Sequence, residues 1–147
     1  MEKTNAAIKK AVQEDYSVNH IFFVWLQGES DALAGNTKTY YKEQLRSLCN
    51  ALKEQIGIEK FGIIRVGRFA KDARDDEIIN AQDEICEEND DFIMLTRITT
   101  ELNTIHEYMN PFVKGHYSAK GLEKIGAEAG KKLGELRRNA CDRCKIF

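Results

Sequence analysis

Seven residues near the start of the chain, His20-Ile21-Phe22-Phe23-Val24-Trp25-Leu26, form an apolar run with no strict alternation. A strand with one wet face alternates apolar and polar residues. A run that is apolar throughout calls for cover on both faces, as in a parallel sheet. The run stops abruptly at Gln27-Gly28-Glu29-Ser30-Asp31, four polar residues around one glycine. Open parallel sheets hold their ligand sites just beyond the C-terminal ends of their strands. This junction is therefore the first place to look for chemistry.

The rest of the chain fits the same architecture. Glu2 to Asp15 reads as a helix, with Ala6, Ile8, Ala11 and Val12 on one side. Gly28 to Asn36 reads as a polar loop. Thr37 or Thr39 caps a helix running to about Gln55, with Tyr41, Leu45, Leu48, Cys49 and Leu52 as its buried stripe and Gly57 as its stop. Phe61 to Val66 is a second strand, and Gly67 to Arg74 a loop carrying Arg68, Lys71 and Arg74. Asp75 to Glu88 is a helix with acids at its start, as the helix dipole favours. Phe92 to Leu95 is a third strand. Thr96 to Gly115 is a long irregular stretch holding the single proline, Pro111, and loops of such length are more often functional than connective. Ser118 caps a last helix from Ala119 to about Asn139.

This order, α-β-α-β-α-β-α, predicts an α/β fold: a three-layer α/β/α arrangement on a short parallel sheet. One domain over residues 1–147 is expected, with 139–147 as a C-terminal tail. Three strands are few, and the most apolar strand is a poor edge. It reads as a central strand that lacks a neighbour.

The formal net charge of −2 leaves no basic excess for nucleic acid. No apolar segment reaches the roughly 20 residues that span a bilayer, and the first residues have no signal-peptide core, so a cytoplasmic location is expected. Cys49 and Cys86 fall in helical patterns and read as buried thiols. Cys141-Asp142-Arg143-Cys144 is a lone CxxC that follows a helix, a weak metal or redox signal best read as free thiols. His20, His106 and His116 are too scattered to give a metal-ligand spacing.

Trp25-Leu26-Gln27-Gly28-Glu29-Ser30-Asp31 resembles the W-x-Q-G-E-S-D block of the SGNH/GDSL-type carbohydrate esterases, nearest the sialate O-acetylesterase and acetylxylan esterase group. His116-Tyr117-Ser118-Ala119-Lys120-Gly121, with Ile125-Gly126 behind it, is similar to that family's closing block, in which a histidine precedes a helix. Asn80-Ala81-Gln82 resembles a helix between the two. The resemblance covers most of residues 20–135. It implies a flavodoxin-like SGNH-hydrolase fold lacking its first strands, with this chain's strands as the third, fourth and fifth. It implies an acetyl ester of a carbohydrate as ligand; no cofactor and no metal are expected. It implies His116 as general base, Glu29 as the carboxylate that orients it, and Gln27 and Gly28 at the oxyanion or substrate wall.

Two departures accompany the resemblance. The family's nucleophilic serine lies in an N-terminal Gly-x-Ser block that this chain does not have, and the aspartate it usually carries three residues before the histidine is Val113 here. A histidine without a nucleophile is a poor acyl-transfer catalyst. The leading expectation is thus an esterase-like portion, incomplete and inactive alone, that meets an N-terminal-half partner or a second copy along the first strand. The alternatives are a non-catalytic descendant that binds a glycan or a protein, and a hydrolase using Ser30 or a thiol. Plainer readings stand beside these. Gln27 to Asp31 is then a polar loop with a helix cap, and His116 a locally bonded loop residue. Arg68 and Arg74 either meet a substrate carboxylate or are solvated.

Overall fold

A computed structural model describes the backbone of residues 2–143 and the side chains of residues 2–138. In chain order the elements are α1 (Glu2–Gln13), β1 (Phe22–Trp25), α2 (Glu29–Ala34), α3 (Lys38–Ile56), β2 (Lys60–Ile64), α4 (Ala73–Glu88), β3 (Phe92–Thr96), α5 (Thr99–Leu102), a 3-10 turn (His106–Tyr108) and α6 (Ala119–Arg143). The strands form one parallel sheet in the order β1-β2-β3. The protein is a small α/β domain.

Alternation along the strands divides the core between two faces. Phe61 and Ile63 of β2 and Phe92 of β3 meet the stripe of α3 (Tyr41, Leu45, Cys49, Leu52) and the inner side of α4 (Ile78, Ile85). Ile64 and Leu95 face the other way, against Leu102 of α5 and Ile125 and Ala129 of α6. Helices thus cover both faces of the sheet. Gly62 lies where any side chain would collide with Leu95, so its lack of one lets α6 and β3 close on the sheet.

The predicted stops and caps hold. Thr37 accepts from the Tyr40 N–H, and Gly57 ends α3 at φ 69°. Ser118 Oγ accepts from the Gly121 N–H at 3.2 Å. Cys49 is a buried free thiol and Cys86 a half-buried one.

Other expectations need correction. The stretch 28–36 is not all loop. Gly28, at φ 152°, breaks the strand, and α2 forms between it and Gly35 at φ 73° because Ala32 finds a place in the core. The stretch 96–115 contains α5, the 3-10 turn, and a bridge between Met109 and Tyr117. β1 is shorter than expected and lies at the sheet edge, half-buried, with Val24 43% exposed. α1 buries no residue. α6 runs on to Arg143, into the stretch read as a tail. Cys144 lies outside the described residues, as does the side chain of Cys141. Among the described residues no helix is long and apolar enough to cross a membrane.

Candidate functional site

A buried amide ties together the C-terminal ends of β1 and β2. Gln82 of α4 donates from Nε2 to the Gln27 carbonyl and to Tyr41 Oη, both at 2.9 Å, and its Oε1 accepts from the Val66 N–H at 2.9 Å. Tyr41 Oη in turn donates to the Gln27 carbonyl at 2.7 Å, and Trp25 Nε1 donates to Tyr41 at 3.3 Å. Burial pushes the Tyr41 phenol up to about 12. Its bonds from Trp25 and Gln82 oppose that rise, while the carboxylates of Asp31 and Glu29 add to it. The phenol therefore stays a donor at neutral pH.

The turn at Gln27 and Gly28 is thereby fixed. A Cβ at Gly28 would lie 2.7 Å from Ile78 Cγ2, and its φ lies in the region only glycine adopts freely. The Gln27 side chain donates to Asp31 Oδ2 at 2.5 Å, and Asn36 donates to Asp31 Oδ1 at 2.7 Å. The Gln27 amide is thus laid along α2. Glu29 opens α2 and is half-buried.

Two further loops close over this end of the sheet. Asp75 is 1% exposed and accepts the backbone N–H groups of Phe69, Ala70 and Lys71 at 3.1, 2.9 and 2.6 Å. One carboxylate thus holds the whole 69–71 turn. Asn103 Nδ2 donates to the Arg68 carbonyl at 2.6 Å. The ring of Phe69 fills the space a side chain at Gly115 would need, which seats the 109–118 segment on the 67–74 loop. Between these loops and α2 lies a cleft of about 530 Å³, lined among others by Leu33, Arg68, Phe69, Lys71, Met109 and Lys114.

His116 stands beside this cleft, exposed, with its Nδ1 3.2 Å from the Lys114 carbonyl. A carbonyl can only accept, so Nδ1 is the donor in this contact and Nε2 is the ring nitrogen left without a partner among the described residues. No carboxylate lies within 4.0 Å of His116 among the described residues. Burial first, then the Glu29 charge, raises the Tyr117 phenol to about 12. The Glu29 charge is thus felt at the residue after His116, and among the described residues Glu29 makes no ion pair with the imidazole.

The remaining sequence candidates divide. Arg68 lines the cleft but is ion-paired to Asp76, and Arg74 is spent on Asp72 and the Leu33 carbonyl. His20 pairs with Glu59 at 2.9 Å, away from this site. Ser118 donates to the Glu107 carbonyl while capping α6, and Ser30 is exposed beside Glu29.

The family model for carbohydrate esterases, sialic acid-specific acetylesterases, matches residues 2–133. The chain belongs to this carbohydrate esterase family. No curated protein and no solved structure matches it.

Within this esterase domain, several structural residues escape sequence reading. Tyr41 looks like an ordinary member of an apolar helix stripe, yet its hydroxyl is central to the buried network. Asp75 looks like a helix-start acid, whereas Asp72 caps α4 and Asp75 turns back to hold the loop. The Phe69–Gly115 contact joins residues 46 positions apart, and only the fold reveals it.

Proposed function

We propose that this chain supplies the base, its carboxylate partner and the substrate cleft of a carbohydrate O-acetylesterase. The observation that carries this reading is the family match over residues 2–133. His116 then takes the proton of an attacking hydroxyl at Nε2, with Nδ1–H held by the Lys114 carbonyl. Glu29 stabilises the imidazolium as it forms, after a small closure of the site around substrate. Gln27 and Gly28 form the wall beside the developing oxyanion.

The nucleophile comes from outside these elements. Ser118 is occupied as a cap, Ser17 lines a separate cavity beyond the start of β1, and Ser47 is exposed on α3. The free edge of β1 ends at Trp25, two residues before the polar turn at Gln27. A strand added along that edge, from a second copy or from another polypeptide segment, delivers a hydroxyl to the polar turn. A second reading, a sugar-binding descendant without turnover, draws on the lack of a bond between His116 and any carboxylate among the described residues.

Acetate release from an acetylated sugar and from p-nitrophenyl acetate tests the proposal, with His116→Ala and Ser30→Ala as controls. The expected result is sugar binding by the folded chain with no turnover above the His116→Ala background. Turnover lost in both variants would make Ser30 the nucleophile and overturn the outside-nucleophile proposal. A folded chain that neither binds nor hydrolyses would overturn the esterase reading itself.

A further inference from the structure

We infer that Phe69 is a positioning residue for His116: its ring, aimed by the buried Asp75 carboxylate, seats the turn whose Lys114 carbonyl holds the imidazole. This rests on the esterase reading above and goes further by assigning the orientation of the base to two side chains of another loop.

His116 has no carboxylate partner among the described residues, and the residue three places before it is Val113. Its ring is bonded instead to the Lys114 carbonyl, at 3.2 Å. The orientation of the imidazole then depends on what holds the 110–116 turn. The turn is closed by its own bonds. Asn110 N–H donates to the His116 carbonyl at 2.7 Å, His116 N–H donates to the Val113 carbonyl at 3.2 Å, and Asn110 Oδ1 accepts from the Phe112 and Val113 N–H groups. These bonds fix the shape of the turn but not its place on the molecule. Its place is set by the contacts that flank it. On one side Tyr117 bridges to Met109 and packs on the core cluster of Leu102 and Ile125. On the other, between Lys114 and His116, Gly115 at φ 81° lies against the Phe69 ring, which occupies the space of any side chain there.

Phe69 is itself held from behind. Lys71 has φ 63°, in the left-handed region that non-glycine residues rarely adopt. The bend gathers three successive N–H groups, of Phe69, Ala70 and Lys71, onto the Asp75 carboxylate at 3.1, 2.9 and 2.6 Å. Such a nest of N–H groups is a seat for an anion. Here the anion is the protein's own side chain, 1% exposed. Asn103 fixes the preceding residue through the Arg68 carbonyl. A strained residue persists only where its surroundings over-determine it. What these surroundings determine is the place of the Phe69 ring against Gly115. The route from Asp75 to the imidazole is continuous: carboxylate, 69–71 turn, Phe69 ring, Gly115, Lys114 carbonyl, Nδ1–H. Which nitrogen of a histidine carries the proton is set by the bond its ring makes. The route therefore selects the tautomer that leaves Nε2 free to accept a proton.

Imidazole nitrogen NMR of the full chain, at a pH where histidine is neutral, tests this. The chain has three histidines, so His116→Ala assigns the signal. Free histidine favours the proton on Nε2, whereas His116 is expected to carry it on Nδ1. In Phe69→Ala the tautomer ratio should move toward Nε2–H by at least about fivefold, as the loss of one ordinary hydrogen bond implies. Phe69→Leu, which keeps an apolar contact, should move it less. Asp75→Asn, which turns a donor toward the nest, should move it in the same direction. Because both residues act through one ring, the double variant Phe69→Ala/Asp75→Asn should go no further than Phe69→Ala alone. Fluorescence of Trp25, the single tryptophan, checks that each variant is folded. An Nε2–H tautomer in the unaltered chain, or a ratio unchanged in folded Phe69→Ala or Phe69→Leu, overturns the positioning role. Effects that multiply in the double variant overturn the link to Asp75. None of these readings needs substrate, so the esterase reading stands or falls separately, by the binding and turnover of acetylated sugars.

Discussion

Gln82 is fully buried and uses both ends of its amide, on Val66, Gln27 and Tyr41. It fills a gap that no backbone bond closes, because β1 and β2 both end here and their last polar groups turn inward. Gln82→Leu keeps the volume but leaves the Val66 N–H without its acceptor. A buried donor stranded in this way costs about 1–3 kcal/mol. The expected outcome is a lower urea midpoint with an unchanged slope, since the fold and the area exposed on unfolding stay the same. The variant should also weaken sugar binding, because the Gln27 carbonyl loses one of its two donors. A midpoint equal to that of the unaltered chain would show that the amide contributes nothing net.

Helices α3 and α4 are joined on their outer side by a ladder of charge. Lys42, whose side chain is 10% exposed, donates to Glu84 at 3.0 Å and Glu88 at 2.7 Å; Lys38 also reaches Glu84, at 2.6 Å, and Arg46 reaches Glu88, at 2.9 Å. Burial works against the Lys42 charge, but its bonds to Glu88 and Glu84 outweigh this and raise its pKa above the usual 10.5. Bonds from Lys38 and Lys42 hold the Glu84 carboxyl below its usual 4.5. The depressed Glu84 contributes stability above pH 4.5 that is lost as pH falls through its lowered value. The raised Lys42 contributes stability below pH 10.5 that is lost as pH rises through its own. Lys42→Met keeps the aliphatic stem and removes the charge. Its urea midpoint should therefore differ from that of the unaltered chain by a constant amount near neutrality, and the gap should change as pH falls below 4.5. A gap that is the same at pH 3 and pH 7 would show that the ladder is only solvated charge.

At the scale of the whole molecule the sheet has an open side. β1 is four residues of Phe, Val and Trp, without the lysine, proline or bulge that usually protects an edge strand. Val24 is 43% exposed on it, and Val12 and Tyr16, in the preceding segment, are exposed as well. Sedimentation at rising concentration should show self-association, and Val24→Lys should suppress it. The substitution lies at an exposed edge, so its effect on monomer stability should stay within about 0.5 kcal/mol. Association that is unchanged in Val24→Lys would place the contact elsewhere. A chain that remains monomeric at every concentration would remove the second copy as donor of the added strand.

The α/β class, the three strands, the main helices, the stop at Gly57 and the cap at Ser118 were legible in the sequence, because hydrophobic period and capping chemistry act over a few residues. The two motif blocks were legible for the same reason, and they led to the family that residues 2–133 match. The short helix inside the 28–36 stretch was not, since six residues have no stable helical preference of their own and Ala32 gains its place only from the core. Nor was the second duty of Asp75, the hydroxyl of Tyr41, or the meeting of Phe69 with Gly115. Each of these depends on a partner brought near by the folding of the sheet. Sequence by itself thus determined the α/β class, the main elements and the motif blocks that mark the family. Tertiary structure alone decided which loops share a cleft, which of its cations are paired, and that Glu29 makes no ion pair with His116 among the described residues. Local propensity is written in neighbours along the chain, whereas charge pairing and burial are set by neighbours in space.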